Sequence, residues 1–224
     1  ERCRIEVEAY HLAAFVDPAT GEPRVACACD EEVRIYDPVA AGAALVVIDV
    51  EARALAVFKD PATGEPRLAC GCYKKVRIYD PVAGGAPLVV IDVGEYVLAL
   101  EVFKDPATGE PRLACGDLYG KVHIFDPVAG GEALLVIEAY AGALAVFTDP
   151  ATGAPRLACG GRIFDPVAGG EALLVIKTGG HPMKALVVFA DPATGAPRLA
   201  CASGKKVLVF DPVAGGEALV VIDI

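Results

Sequence analysis

The 224-residue chain carries 30 acidic and 20 basic side chains, and its net charge of −10 sets it against a phosphate backbone, so no nucleic-acid partner is expected. Hydrophobic residues make up 54% of it while only 7% are aromatic and Trp is absent; Val, Ala, Leu and Ile dominate, a mix suited to strands buried on both faces. The longest nearly uncharged stretch, 133–147, is interrupted by Glu138 and falls short of the roughly 20 residues a bilayer requires, so no membrane span is expected.

The chain opens Glu1-Arg2-Cys3-Arg4, which does not read as a signal peptide, and residues 3–8 read as a fourth strand without its own unit. From there the sequence repeats. The peptide DPATG begins at Asp17, Asp60, Asp105, Asp149 and Asp191, at spacings of 43, 45, 44 and 42 residues. A second peptide, DPVAGG or DPVAAG, begins at Asp37, Asp80, Asp126, Asp165 and Asp211, and the two alternate without exception. The whole of 1–224 is therefore one repeat domain, with units at about 9–50, 51–93, 94–138, 139–177 and 178–224.

The second unit shows the pattern within a repeat. Residues 54–58 predict a short apolar strand. Asp60-Pro61-Ala62-Thr63-Gly64 predicts a turn, in which Asp caps, Pro sets φ and Gly supplies positive φ. Residues 67–72 predict a second strand with Leu68, Cys70 and Cys72 on one face. Tyr73-Lys74-Lys75 is a polar turn, 76–79 a third strand, Asp80 to Gly85 a second Asp-Pro turn, and 88–93 a fourth strand. Four strands on short turns make an antiparallel meander, and no Pro- and Gly-free segment is long enough for an amphipathic helix. Five such units at this period predict an all-β fold, a β-propeller of about five four-stranded antiparallel blades. The fourth unit is clipped between Cys159 and Arg162, which leaves Gly160-Gly161 as a two-residue hairpin.

The third strands, VRIYDP from Val33 and Val76, VHIFDP from Val122 and VLVFDP from Val207, resemble the WD40 signature, with Tyr or Phe in place of Trp. RLACG likewise resembles that family's second strand. The resemblance runs repeat by repeat over essentially the whole chain and implies a non-enzymatic scaffold for protein–protein interaction. WD40 blades are locked by a Gly-His pair, and here only Gly180-His181 supplies one. The links from fourth to first strand are short, as at Glu51-Ala52-Arg53, so strand ends must be donated to them. The leading strand over 3–8 and the closing strand over 218–224 compete for one outer edge. Either one is an extra edge strand of a closed five-bladed ring, or the chain is part of a larger assembly, and open strand edges make self-association expected.

Candidate chemistry is sparse. The ten Asp-Pro carboxylates read as turn caps rather than acid–base pairs or calcium ligands. Cys27-x-Cys29 and Cys70-x-Cys72 lack the spacing of a zinc site and read as core thiols. Cys27, Cys70, Cys115, Cys159 and Cys201 are one repeated position, too far apart to bridge, and reduced thiols point to an intracellular, cytoplasmic protein. Arg24, Arg67, Arg112, Arg156 and Arg198 open each second strand as solvated strand ends, near Glu22, Glu65 and Glu110 in three copies; the alternative is a ring that grips an anion. His11, His123 and His181 form no nucleophile–base grouping, so neither catalysis nor a cofactor is expected.

The unrepeated residues carry the functional signal. Asp30, Glu31, Tyr73, Lys74, Glu95, Tyr96, Asp117, Tyr119, Tyr140 and His181 fall in links between strands two and three or between strands four and one, which emerge on one face of a propeller. Variation there against constant turns on the other face predicts docking of a protein or peptide, with Tyr as the anchor type. Two alternatives are a structural repeat module with no ligand of its own and a lectin-like propeller; the uneven Tyr positions count against the second.

Overall fold

The structure is a computed structural model and describes residues 7–40, 42–177 and 183–224. Its twenty strands form five four-stranded antiparallel sheets, each built from four consecutive strands in meander order. Blade 1 comprises β1 (His11–Val16), β2 (Pro23–Ala28), β3 (Val33–Tyr36) and β4 (Val46–Ile48). Blade 2 comprises β5 (Ala54–Lys59), β6 (Pro66–Gly71), β7 (Lys75–Tyr79) and β8 (Val89–Asp92), and blade 3 β9 (Val97–Lys104), β10 (Pro111–Asp117), β11 (Lys121–Phe125) and β12 (Leu135–Glu138). Blade 4 comprises β13 (Leu144–Thr148), β14 (Pro155–Cys159), β15 (Arg162–Phe164) and β16 (Leu174–Val175), and blade 5 β17 (Met183–Ala190), β18 (Pro197–Ser203), β19 (Lys206–Phe210) and β20 (Val220–Asp223). The sheets are arranged as a five-bladed propeller, as the repeat predicts.

The turns follow from their residues. In each DPATG turn the Asp carboxylate accepts the N–H two residues on, as Asp60 Oδ1 does from Ala62 at 2.9 Å, and the Gly closes the turn onto the Asp carbonyl. The DPVAGG turns repeat this at Asp80 with Val82 and Ala83. Gly160 and Gly161 both take positive φ, 53° and 75°, the two-residue hairpin that the clipped fourth unit requires. The short links are accommodated as expected: β4 stops at Ile48, leaving residues 49–53 to reach β5. Part of the predicted leading strand, 3–6, lies outside the described residues, and Val7 and Glu8 form no strand.

The core lies between blades. Phe15, Val33, Ile35 and Ile48 on the forward face of blade 1 pack against Leu55, Leu68, Cys70 and Tyr79 on the rear face of blade 2. Equivalent clusters join blades 2 and 3, 3 and 4, and 4 and 5. Blades 2, 3 and 4 are thus apolar on both sides because a neighbour covers each, which accounts for much of the hydrophobic composition. A fifth, smaller cluster sits on the rear of blade 1, where Val7 and Ala44 pack on Cys27, Cys29 and Tyr36. The first strands surround a central channel of about 1190 Å³.

Candidate partner-binding face

In each meander the links from first to second and third to fourth strand lie at one end of the blade, and all other links lie at the opposite end. The first end carries the constant Asp-Pro turns. Its charges are consumed locally: Arg112 lies 3.1 Å from Asp105 and 3.6 Å from Asp126, and Arg156 lies 3.2 Å from both Asp149 and Asp165. All five second-strand arginines pair in this way, with turn aspartates rather than with Glu22, Glu65 or Glu110. A side chain clamped between two carboxylates is poorly placed to grip an anion.

The second end carries the variable links and most of the tyrosines. The chain has seven Tyr; Tyr36 and Tyr79 are buried at the close of their third strands, and Tyr10, Tyr73, Tyr96, Tyr119 and Tyr140 are all exposed at this end. Tyr73 and Tyr96 meet with ring centroids 4.5 Å apart and planes tilted by 55°, and the Lys74 ammonium lies 5.3 Å from the Tyr73 ring centre. Lys74 takes φ 61°, and its carbonyl accepts the Val93 and Gly94 N–H groups from the next link. That fold-back sets the Tyr73 turn beside the Tyr96 link. Glu95 next to it is half-buried.

Close backbone approach positions Tyr140. A Cβ at Gly116 would lie 2.4 Å from the Ala141 carbonyl oxygen, and one at Gly160 would lie 2.6 Å from that of Tyr140, so the 139–143 link rests directly on blades 3 and 4. At blade 1, the Tyr10 hydroxyl donates to Asp30, which holds the phenol above its ordinary value, and the Arg53 guanidinium sits 5.3 Å over the Tyr10 ring. Exposed Glu8, Glu31 and Glu51 make this sector acidic.

The structure therefore brings Asp30, Glu31, Tyr73, Lys74, Glu95, Tyr96, Tyr119 and Tyr140 to one end, as read from their links. Asp117 differs. It is buried, its Oδ1 accepts the N–H groups of Tyr119 and Lys121 at 2.9 Å, and its Oδ2 lies 3.0 Å from His123 Nε2. A carboxylate so occupied shapes the turn that displays Leu118 and Tyr119 and offers nothing to a partner. His181 lies outside the described residues. Sequence reasoning missed Tyr10, Arg53 and Leu118, although Tyr10 precedes β1 in the same kind of link as Tyr96. His11 is buried at Nδ1 without a partner there, and burial lowers its pKa. Among the described residues no three His, Cys, Asp or Glu side chains converge as metal ligands.

Solved structures share this architecture. The chain superposes on BBS1N from its complex with ARL6DN, from a crystal soaked with lead, with a TM-score of 0.72 at 13% identity, covering 98% of this chain and 71% of that one. A mercury-soaked crystal of the same complex gives 0.68 at 14% identity, with 98% and 67% covered. The shared fold is the β-propeller. No family model matches the chain, and no curated protein matches it.

Proposed function

We propose that this propeller is a non-enzymatic scaffold that binds a protein or peptide through its tyrosine-bearing end. The observation that carries the reading is the segregation of tyrosine: every Tyr outside the buried third-strand position lies at one end, although the repeat places equal numbers of links at both. Tyr buries a large rigid surface with few rotors and keeps a hydroxyl for hydrogen bonding, so exposed clusters of it favour docking. Glu8, Asp30, Glu31 and Glu51 around Tyr10 favour a basic segment in the partner. A protein of similar fold, BBS1N, was crystallised in complex with ARL6DN, which is in keeping with this role. Seven described thiols are free, which fits work in a reducing, intracellular compartment. The WD40 resemblance of the third strands agrees with the same reading.

The test is selection of peptides from a random display library on the immobilised chain, followed by calorimetric titration of the winners. Binding is expected to weaken at least tenfold in Tyr73→Ala and Tyr96→Ala and to be unchanged in Val82→Ser, at the opposite end. Winners indifferent to both Tyr variants and lost in Val82→Ser would overturn the reading.

A further inference from the structure

The central channel holds one carboxylate. Among the described residues that line it, Glu101 on β9 alone is acidic, and it stands where the other blades carry Ala13, Ala56, Ala145 and Val187. Among the described residues no cation offsets it: burial and the Val102 N–H act on its carboxyl, and no charged side chain does.

The register of β9 on β10 places that carboxylate at the channel. Asp105 and Glu110 face each other as a hydrogen-bonded pair, with the Asp105 N–H donating to the Glu110 carbonyl at 2.9 Å. The pairing continues through Phe103 with Arg112 and Glu101 with Ala114, so the backbone groups of Phe103 and Glu101 are spent on β10. Those of Leu100, Val102 and Lys104 point the other way, to the unpaired edge of β9, and that edge faces the channel. The N–H that the Glu101 carboxylate accepts is that of Val102, on this edge. The side chain therefore folds back to the channel edge of its own strand, while Ala99 and Phe103 on the same face pack against blade 4.

The same phase holds in the blades on either side. Asp60 donates to the Glu65 carbonyl and Asp149 to that of Ala154, so Leu55 and Val57 of β5 and Leu144 and Val146 of β13 also turn their backbone groups to the channel. A cation at Glu101 thus meets one carboxylate and unpaired backbone carbonyls, acceptors that suit a group with several N–H donors. The wall around them is apolar, with Val57, Leu98, Val102 and Val146 half-buried along it. A metal ion would need more ligands than converge among the described residues. The two mouths differ in charge. Exposed Lys59 and Lys104 line the Asp-Pro mouth, whereas Tyr10 marks the other, with Glu8, Asp30, Glu31 and Glu51 around it, so a cation is steered in through the tyrosine-bearing mouth.

We propose that the channel is a binding site for a small organic cation, an ammonium or amidinium on an apolar body, whose charge pairs with Glu101. The site is separate from the tyrosine cluster and does not rest on the partner-binding reading. Pairing requires the ionised carboxylate, so affinity follows the titration of Glu101. The other titratable groups lining the channel are Tyr10 and His11 on β1, Lys59 on β5 and Lys104 on β9; the described lining residues of β13 and β17 include none. On the strands packed against β9, Arg112, Asp117 and Arg156 are held in pairs, and Cys115 and Cys159 are buried thiols. Burial lowers His11, which therefore charges only at more acid pH.

The test is calorimetric titration of the full chain with phenethylammonium, and with phenethyl alcohol as the neutral control. At pH 8 the ammonium is expected to bind with a Kd below about 1 mM, and the alcohol at least tenfold more weakly. Between pH 8 and pH 5 affinity for the ammonium is expected to fall on the order of 100-fold, as Glu101, raised by burial to about 7, takes up its proton. Glu101→Gln and Glu101→Ala are expected to unfold as cooperatively as the wild type, to lose at least tenfold in affinity and to lose most of the pH dependence, which separates Glu101 from His11. No saturable binding of phenethylammonium, equal binding of the alcohol, or affinity unchanged in both Glu101 variants would overturn the inference, the last by placing the cation on exposed carboxylates instead.

Discussion

Arg112 Nη2 lies 3.1 Å from Asp105 Oδ2, while Oδ1 of the same carboxylate accepts the Ala107 N–H at 2.9 Å. One aspartate thus closes its turn and anchors the strand that leaves it, and the arrangement recurs in every blade. The Ala107 N–H, then that of Thr108 and the Arg112 guanidinium, hold the Asp105 carboxyl below its usual value, outweighing burial; Asp17, Asp149 and Asp191 are lowered in the same way. A depressed folded-state pKa contributes stability that is present above the unfolded value and lost as pH falls through the folded one. Urea midpoints are therefore expected to fall steeply below about pH 4. Asp105→Asn should flatten that fall and lower the midpoint at pH 7, as equilibrium unfolding at several pH values will show.

These pairs also mark where sequence reading succeeds. Asp-Pro-x-x-Gly is local chemistry, and its turns sit where read. The strands of the second unit, read at 54–58, 67–72, 76–79 and 88–93, lie within two residues of the observed bounds at every end. Which carboxylate meets Arg112 was not legible, because Glu110 is near in sequence while Asp105 and Asp126 are near only across the hairpins. The variable end was legible from the phase of the links, but the burial of Asp117 was not. It depends on His123 across the β10–β11 pair, and one residue type serves equally at an exposed and a spent position.

Glu101 stands where other repeats have Ala13, Ala56, Ala145 and Val187, and it lines the central channel from β9. Burial pushes its carboxyl from 4.5 up to about 7, with only the Val102 N–H acting the other way. The folded state therefore holds this proton more tightly than the unfolded state. Stability attributable to the protonated group is complete below pH 4.5 and is lost as pH rises toward 7. Over that window the loss is on the order of 3 kcal/mol. Glu101→Ala restores the residue of three other blades and is expected to remove the slope and raise the urea midpoint at pH 8.

The core thiols should be inert in the native protein. Burial pushes Cys72 up to about 11 and Cys159 up to about 12, and it raises Cys70 and Cys115 well above the ordinary thiol value too. Alkylation requires the thiolate, so these four are expected to react with iodoacetamide at pH 8 at least 100-fold more slowly in the native chain than in urea. Peptide mass mapping after timed alkylation measures the rates. Fast labelling of Cys115 in native protein would mean that the interface between blades 2 and 3 opens.

Phe58 and Phe189 occupy one repeat position in opposite environments, since Phe58 is closed under blade 3 and Phe189 faces open space. Truncating a buried Phe to Ala costs about 3–5 kcal/mol through lost transfer energy and the cavity left behind. With no covering blade there is no cavity to leave. Phe58→Ala is therefore expected to destabilise by about 3–5 kcal/mol and Phe189→Ala by about 1 kcal/mol or less. Denaturant melts of the two single variants decide the matter, provided both keep the wild-type m-value, which reports that the same surface is exposed on unfolding. Equal losses would mean that the face of blade 5 is covered in solution by something of the same shape as a blade.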